Sequence, residues 1–334
     1  MTNTARIFNV VILLALLLAA VLSYVGRATP AKAAEWPVKN VTLIVPASPG
    51  GGYDITARIT APFIQKNLSK RFNVIVKNVA GARQKIGLME LIRAKADGYT
   101  IGTFDPLEIG ILQISGQLKE VDFTKLSWLC RLVNTPGIVV VSTKSGFKSA
   151  ADMKNKPVRF ASIGSGARGA IAAKVLETKP IFINYDGSSP AALATAQGDC
   201  DAFFSNWVSG MRQVRIYEGK LIPLCTTTTE RVPLPELKDV PSAKELGISL
   251  GKAEPIMDTP VFLVGPPNLS PEIKRMWEET LKKVLDDPEW LAQISKGGFT
   301  PAPVIGGKVS AIVASSLEAL EEYRDIIIRM ESPR

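Results

Sequence analysis

Residues Val41–Gln65, VTLIVPASPGGGYDITARITAPFIQ, leave the chain few ways to fold. Val41–Val45 is an apolar run long enough for one buried parallel strand. Pro46, Pro49 and Gly50–Gly52 end it abruptly. Asp54 stands where a helix N-cap belongs, and Ile55, Ile59 and Phe63 recur along one helical face. A strand, a glycine turn and a helix in that order aim free backbone N–H groups and a positive dipole end at one point. Such a point suits a phosphate or a carboxylate, although the glycines also serve a plain tight βα turn.

The rest of the chain repeats the theme. Phe72–Lys77 and Tyr99–Phe104 read as strands, with a glycine-bearing turn at Asn78–Gln84 and a helix through Leu88, Leu91 and Ile92 between them. The third strand closes at Asp105-Pro106. Leu126–Val133 and Gly137–Thr143 are strands broken by Asn134-Thr135-Pro136, a candidate crossing between domains. A second strand–glycine–helix copy starts at Val158–Ser162, and strands at Ile181–Asn184, Ala202–Ser205 and Leu221–Thr227 follow, with helices at Ser189–Gln197 and Arg212–Glu218. Ser242 and Glu245 form a capping box stopped at Gly247, and Ser270-Pro271 opens a long helix. One last helix carries Val309, Ile312, Val313, Leu320 and Ile327. Strands alternating with helices predict an α/β fold with right-handed crossovers. At 334 residues there is room for roughly two domains.

The N-terminus is of another kind. Arg6 precedes the apolar run Val10–Leu22, and Ala31-Lys32-Ala33 has the form of a signal-peptidase site. The run is shorter than a membrane span, so residues 1–34 read as a cleaved secretory signal, with an uncleaved anchor as the alternative. No cysteine lies there to carry a lipid. The segment holds Arg6, Arg27 and Lys32 and no acid, so its removal lowers the formal charge of +9 by three. That modest positive excess suits an anionic ligand. Lysines and arginines are scattered without interleaved aromatics, which argues against nucleic acid. Cys130, Cys200 and Cys225 are too few for a disulfide scaffold. Cys200 and Cys225 could pair in an oxidising compartment, and at least one thiol stays over.

Much chemistry is excluded. The chain has no histidine, which removes the commonest general base, the Ser-His triads and most catalytic zinc sites. No nucleophile elbow and no Walker-type phosphate loop occurs. One enzyme-like feature remains: Gly164–Gly169 matches G-x-G-x-x-G between a strand and a helix, with Asp186 closing the next strand. That spacing allows a nucleotide-dependent oxidoreductase. Export of an unfolded chain argues against a cytoplasmically loaded cofactor, and the same geometry holds a carboxylate equally well. Two glycine turns at the carboxyl ends of strands, facing across a cleft, would grip both ends of a small anion.

The motifs PASPGGGYD within Val41–Asp54, Asn78–Gly87, Asp97-Gly98-Tyr99-Thr100, Tyr185–Ala191, Gly198–Phe204, Gly219-Lys220-Leu221 and Asp239–Ser242 occur in one order over nearly the whole mature chain. In this the sequence resembles the substrate-binding proteins of tripartite tricarboxylate transporters, the Bug receptors. The resemblance implies a periplasmic-binding-protein-like fold. Its two lobes, 35–136 with 260–334 and 137–259, would each hold a mainly parallel sheet flanked by helices and be joined by crossing strands. It implies a periplasmic, monomeric, non-enzymatic receptor without cofactor or metal. Such a receptor binds a mono-, di- or tricarboxylate, an aromatic acid or an acidic amino acid, and delivers it to membrane subunits of a transporter. A sensor component is the variant on the same fold. Carried over by motif, first-lobe contacts fall on Ser48, Gly51, Gly52, Tyr53, Asp54, Ala82, Arg83 and Gln84. Second-lobe contacts fall on Ser162, Ser165, Gly166, Arg168, Tyr185 and Asp186. The chain departs from the family at Val79-Ala80, at Arg83-Gln84-Lys85, at Asp186, where a lysine is usual, and near Arg168, where a small hydroxyl residue is usual.

Two of these residues carry alternatives. Asp54 either caps N–H groups two or three residues on, or meets a ligand ammonium. Arg168 either forks onto a ligand carboxylate or points to solvent.

Overall fold

The computed structural model describes residues 36–68, 71–119, 122–163, 166–185 and 187–331, and the signal-peptide expectation lies outside them. The opening unit forms as expected, with β1 (Val41–Val45) followed by α1 (Gly52–Leu68). The chain continues through β2 (Val74–Asn78), α2 (Lys85–Arg93), β3 (Thr100–Phe104), α3 (Pro106–Ile114) and β4 (Ser127–Thr135). Then come β5 (Gly137–Ser142), α4 (Ala150–Met153), β6 (Pro157–Ile163), α5 (Ala167–Val175), β7 (Lys179–Tyr185), α6 (Ser188–Gln197), β8 (Ala202–Asn206), α7 (Trp207–Ile216) and β9 (Leu221–Thr226). The last part holds α8 (Glu254–Met257), β10 (Thr259–Gly265), α9 (Pro271–Leu285), α10 (Pro288–Lys296), β11 (Pro301–Ile305), α11 (Gly307–Glu321) and α12 (Arg324–Glu331).

Two sheets result. The first is six-stranded in the order β11-β4-β10-β3-β1-β2, the second five-stranded in the order β7-β6-β8-β5-β9. Both are mixed rather than mainly parallel. β1 pairs in parallel with β2 and β3, and β6 with β7 and β8, but β10 runs antiparallel to β3 and β4, and β5 to β8 and β9. Crossing strands cause this, because a strand leaving one sheet for the other enters without a helical crossover to turn it round. β4 ends at Thr135 and β5 begins at Gly137, so Pro136 alone separates the sheets. Thr259 of β10 pairs with Thr135 at the same place. A Cβ on Gly137 would overlap the Met257 carbonyl and the Phe204 ring, so the connections meet too closely for any side chain there.

Among the described residues, three hydrophobic clusters hold the layers. One lies against the first sheet, with Ile44, Leu91, Phe104 and Val313 around an edge-to-face pair of Trp128 and Phe262 whose ring centroids are 5.6 Å apart. Another fills one face of the second sheet around Ile138, Phe203 and Trp207. The third draws on both: Leu107 and Ile111 of α3 pack with Val139 and Phe160 of the second sheet, Ile171 of α5, and Leu320 and Ile327 of the C-terminal helices. The expected single terminal helix is thus two, α11 and α12, and the second reaches this shared core. Cys130, Cys200 and Cys225 are buried free thiols, so the Cys200–Cys225 bridge is not formed. Burial pushes the Cys225 thiol up to about 12.

Candidate functional site

The turn after β1 is built from inside by Asp54. This residue is the third of α1 and only 2% exposed. Its carboxylate accepts from the Gly50 N–H at 2.8 Å, from Arg58 Nε at 2.9 Å and from Asn78 Nδ2 at 2.9 Å. Burial alone would raise this carboxyl; the hydrogen bonds from Arg58, Gly50 and Asn78 outweigh it and hold it below the ordinary carboxylate range. Asp54 is therefore not the helix cap. It ties the helix back onto Gly50, whose left-handed φ of 80° makes the turn.

That arrangement leaves Gly51, Gly52 and Tyr53 on the wall of a cavity of about 320 Å³. Elements of the first sheet add Thr259, Val261 and Phe299, and those of the second add Ser188, Asn206, Val208, Ser209 and Arg212. Three helices begin at this cavity: α1 at Gly52, α6 at Ser188 and α7 at Trp207. Asn206 caps α7 by accepting from Ser209 N–H at 2.9 Å. Each helix brings the N–H groups of its first turn and the positive end of its dipole. Arg212, exposed and one turn into α7, adds a full positive charge at the rim. Phe299, Val261, Val208 and Ile55 give the opposite character, an apolar wall. Chemically, the cavity can hold a small anion with a partly apolar body.

Of the sequence-predicted residues, Gly51, Gly52 and Tyr53 line this cavity. The other described ones are held elsewhere. Ser48 is exposed, and its carbonyl accepts from Gly51 N–H at 3.3 Å. Ala82, Arg83 and Gln84 form a left-handed run with φ of 44°, 50° and 72°. Within it Arg83 forks onto Glu331 of α12 and onto Gln117. Gln84 donates to Tyr53 Oη at 3.1 Å and accepts from Asp105 N–H at 3.3 Å. Tyr185 contacts Cys200 Sγ at 3.6 Å rather than the cavity. Ser165 and Asp186 lie outside the described residues.

Arg168 satisfies neither alternative. Its guanidinium pairs with the fully buried Asp105, donates to Thr259 Oγ1 at 3.2 Å, and comes within 3.5 Å of Glu108. Burial opposes its charge, but Asp105 and Glu108 outweigh that and hold it above its ordinary pKa. An internal carboxylate takes the place that a ligand's would, because Asp105 caps α3 through Leu107 N–H at 2.8 Å and so faces α5. Tyr53 links the two environments: it lines the cavity, and its hydroxyl lies 3.4 Å from Asp105. Burial and the neighbouring Asp105 carboxylate raise its phenol well above the usual value.

The backbone at Gly166, just before α5, is closely packed. Gly166 has φ of 71°, and a Cβ there would overlap Ser162 Oγ and come within 2.9 Å of Met330 Cε. Only glycine fits at that position, and Gly164 and Ser165 of the same motif lie outside the described residues. Among the described residues no three histidine, cysteine or acidic side chains converge as a metal site.

Asp105, Ser188, Asn206, Ser209, Arg212 and Phe299 were not singled out from the sequence as site residues. Two had a readable signal: Asp105-Pro106 is an N-cap followed by proline at the first helical position, and Asn206 stands three residues before Ser209 at a strand end. Phe299 carries none, since its part is set by a loop following α10.

A profile described as "Tripartite tricarboxylate transporter family receptor" matches residues 56–319. The chain is 24% identical over 306 residues to Protein BugT of Bordetella pertussis, covering 88% of this chain and 90% of that protein. A TctC solute binding protein from Polaromonas superposes with a TM-score of 0.69 at 22% identity, covering 88% of this chain and 99% of the other. MatC from Rhodopseudomonas palustris, solved with malate, gives 0.66 at 19% identity and covers 87% and 100%. A second R. palustris protein, solved with adipate, gives 0.68 at 20% identity and covers 87% and 98%. These likenesses establish a common two-lobed fold.

Proposed function

The chain belongs to the tripartite tricarboxylate transporter receptor family, a family of solute-binding receptors and not of enzymes. From that premise we propose that it binds a small organic anion in the 320 Å³ cavity and delivers it to the membrane subunits of a transporter. The observation that carries this reading is the convergence of three helix N-termini and Arg212 on one cavity. Malate and adipate in two fold relatives support a carboxylate as the anion. In this reading Gly51, Gly52 and Tyr53 hold the ligand from one lobe, and Ser188, Asn206, Ser209 and Arg212 from the other. The lobes are 35–136 with 260–334 and 137–259, a division supported by which strands enter which sheet. The receptor works as a periplasmic monomer, exported by residues 1–34. Among the described residues no helix is long and apolar enough to cross a membrane.

The test is calorimetry on a carboxylate panel that includes malate, adipate and citrate. At least one should bind, and Arg212→Ala should weaken it roughly tenfold, about 1.4 kcal/mol. Absence of heat with every acid, or unchanged affinity for all in the variant, overturns the assignment.

A further inference from the structure

A sheet edge is a row of unpaired N–H and C=O groups, and proteins usually blunt it with proline, a bulge or a cover. Three of the four edges here carry proline: Pro301 and Pro303 in β11, Pro180 in β7, and Pro223 in β9. The fourth, β2, has none. Its sequence is Val74-Ile75-Val76-Lys77-Asn78, and it pairs with β1 over five residues without a register shift. The ladder to β1 takes Asn73 C=O and Val79 N–H, so by the two-residue period Val74, Val76 and Asn78 turn their backbone groups outward. Among the described residues only the Gln65 side chain reaches this row, accepting from Val74 N–H at 3.3 Å.

Both faces of this edge open into grooves. One, of about 750 Å³, lies toward α2 and is lined by Lys77, Lys85, Glu90 and Arg93 with Ile86. The other, of about 630 Å³, lies toward α1 with Arg58 and Lys66. Arg58 and Lys66 pair with Asp54 and Asp287, and Lys77 with Glu90, so among the described residues the lining cations without a carboxylate partner are Arg93 and Lys85, whose Nζ donates to the Gln117 carbonyl. Ile75 and Ile86 are 48% and 52% exposed beside them.

We propose that β2 is a docking edge for an extended acidic segment of a partner protein, which adds as a further strand and sends alternate side chains into the two grooves. Unpaired backbone supplies the affinity, and Lys85 and Arg93 select acidic side chains. A second copy of this chain would set like charge against like charge across the same edge.

The probe is a labelled ten-residue peptide, (Glu-Val)5, read by fluorescence anisotropy, with (Lys-Val)5 and an alternately N-methylated (Glu-Val)5 as controls. The acidic peptide should bind, more tightly at low salt, and protect the Val76 amide from hydrogen exchange. Val76→Pro, which removes an outward N–H only, and the double variant Lys85→Glu/Arg93→Glu should each weaken it at least tenfold. Should Val76→Pro fail to fold, the N-methylated peptide on the unaltered protein carries the same test. Equal binding of the N-methylated or the lysine peptide overturns the proposal. So does self-association in the ultracentrifuge that Val76→Pro abolishes, since the edge would then belong to a dimer.

Discussion

Arg168 shows how far a residue's environment can differ from its motif. A glycine turn opening a helix argues for an arginine that meets an anion, and it does meet one, but the anion is Asp105. Removing one partner of a buried pair leaves the other charge uncompensated, which costs about 3–5 kcal/mol. Arg168→Met should therefore lower stability to urea by that order. Asp105→Asn in the same chain should recover most of it, because asparagine keeps the cap on α3 without the charge. A loss below about 1 kcal/mol in the single variant would mean that the pair contributes nothing, as exposed pairs often do. Asp258 offers a second residue-scale measurement. Burial pushes its carboxyl up to about 6, although the Asn134 amide donates to it at 2.5 Å. A carboxyl raised in the folded state contributes stability that is present below its unfolded pKa and is lost as pH rises through the folded one. Relative to Asp258→Asn, the natural protein should lose on the order of 2 kcal/mol between pH 4 and pH 7. Parallel pH profiles for the two proteins would contradict this.

At the scale of elements, local signals were legible where they rest on adjacent residues. Ser242 and Glu245 bond reciprocally, at 3.3 Å and 2.8 Å, and the turn stops at left-handed Gly247 as expected. Ser270 caps α9 by accepting from Ile273 N–H at 3.2 Å. Elements whose reason is tertiary were missed. β11 is a proline-bearing strand that exists because β4 offers it an edge, and α10 hides among charges around a buried Trp290 bonded to Thr60 at 3.1 Å. The site divides the same way. Gly51 and Gly52 are visible in the first turn, whereas Ser188, Asn206 and Arg212 matter only because α6 and α7 begin at the same cavity. The Gly166 turn tests the distinction between conformation and contact. Gly146 has φ of 76° with nothing within 4 Å of a Cβ, while Gly166 has φ of 71° and Ser162 Oγ in the way. Gly146→Ala should cost about 1 kcal/mol for the left-handed backbone alone. Gly166→Ala should cost roughly twice that, and Ser162→Ala should relieve the excess, since Ser162 Oγ has no hydrogen-bond partner among the described residues to lose. Equal costs at the two glycines, with no rescue, would place the strain in the backbone and not in the contact.

At the scale of the molecule, the two sheets are joined by more than the Pro136 crossing. Residues 39–334 form one compact unit, and the core that contains Leu107, Val139, Phe160, Leu320 and Ile327 belongs to neither sheet alone. Arg168–Asp105 spans the same boundary, and so does α12, whose Glu331 holds Arg83 while its Ile327 lies in the shared core. Opening one sheet would expose this common apolar surface and strand a buried charge, and each of those costs is a large part of the 5–15 kcal/mol that keeps a domain folded. Separate melting of the sheets is therefore disfavoured. Native-state hydrogen exchange resolves the question, since it reads the opening free energy of each strand separately. The slowest amides of β1 and β3 should exchange with the same free energy as those of β5 and β8. A bound carboxylate should raise both sets equally, by RT ln(1 + [L]/Kd). If one sheet exchanged several kcal/mol more easily, or if ligand protected only one of them, the shared core would be a contact surface between two independent folding units.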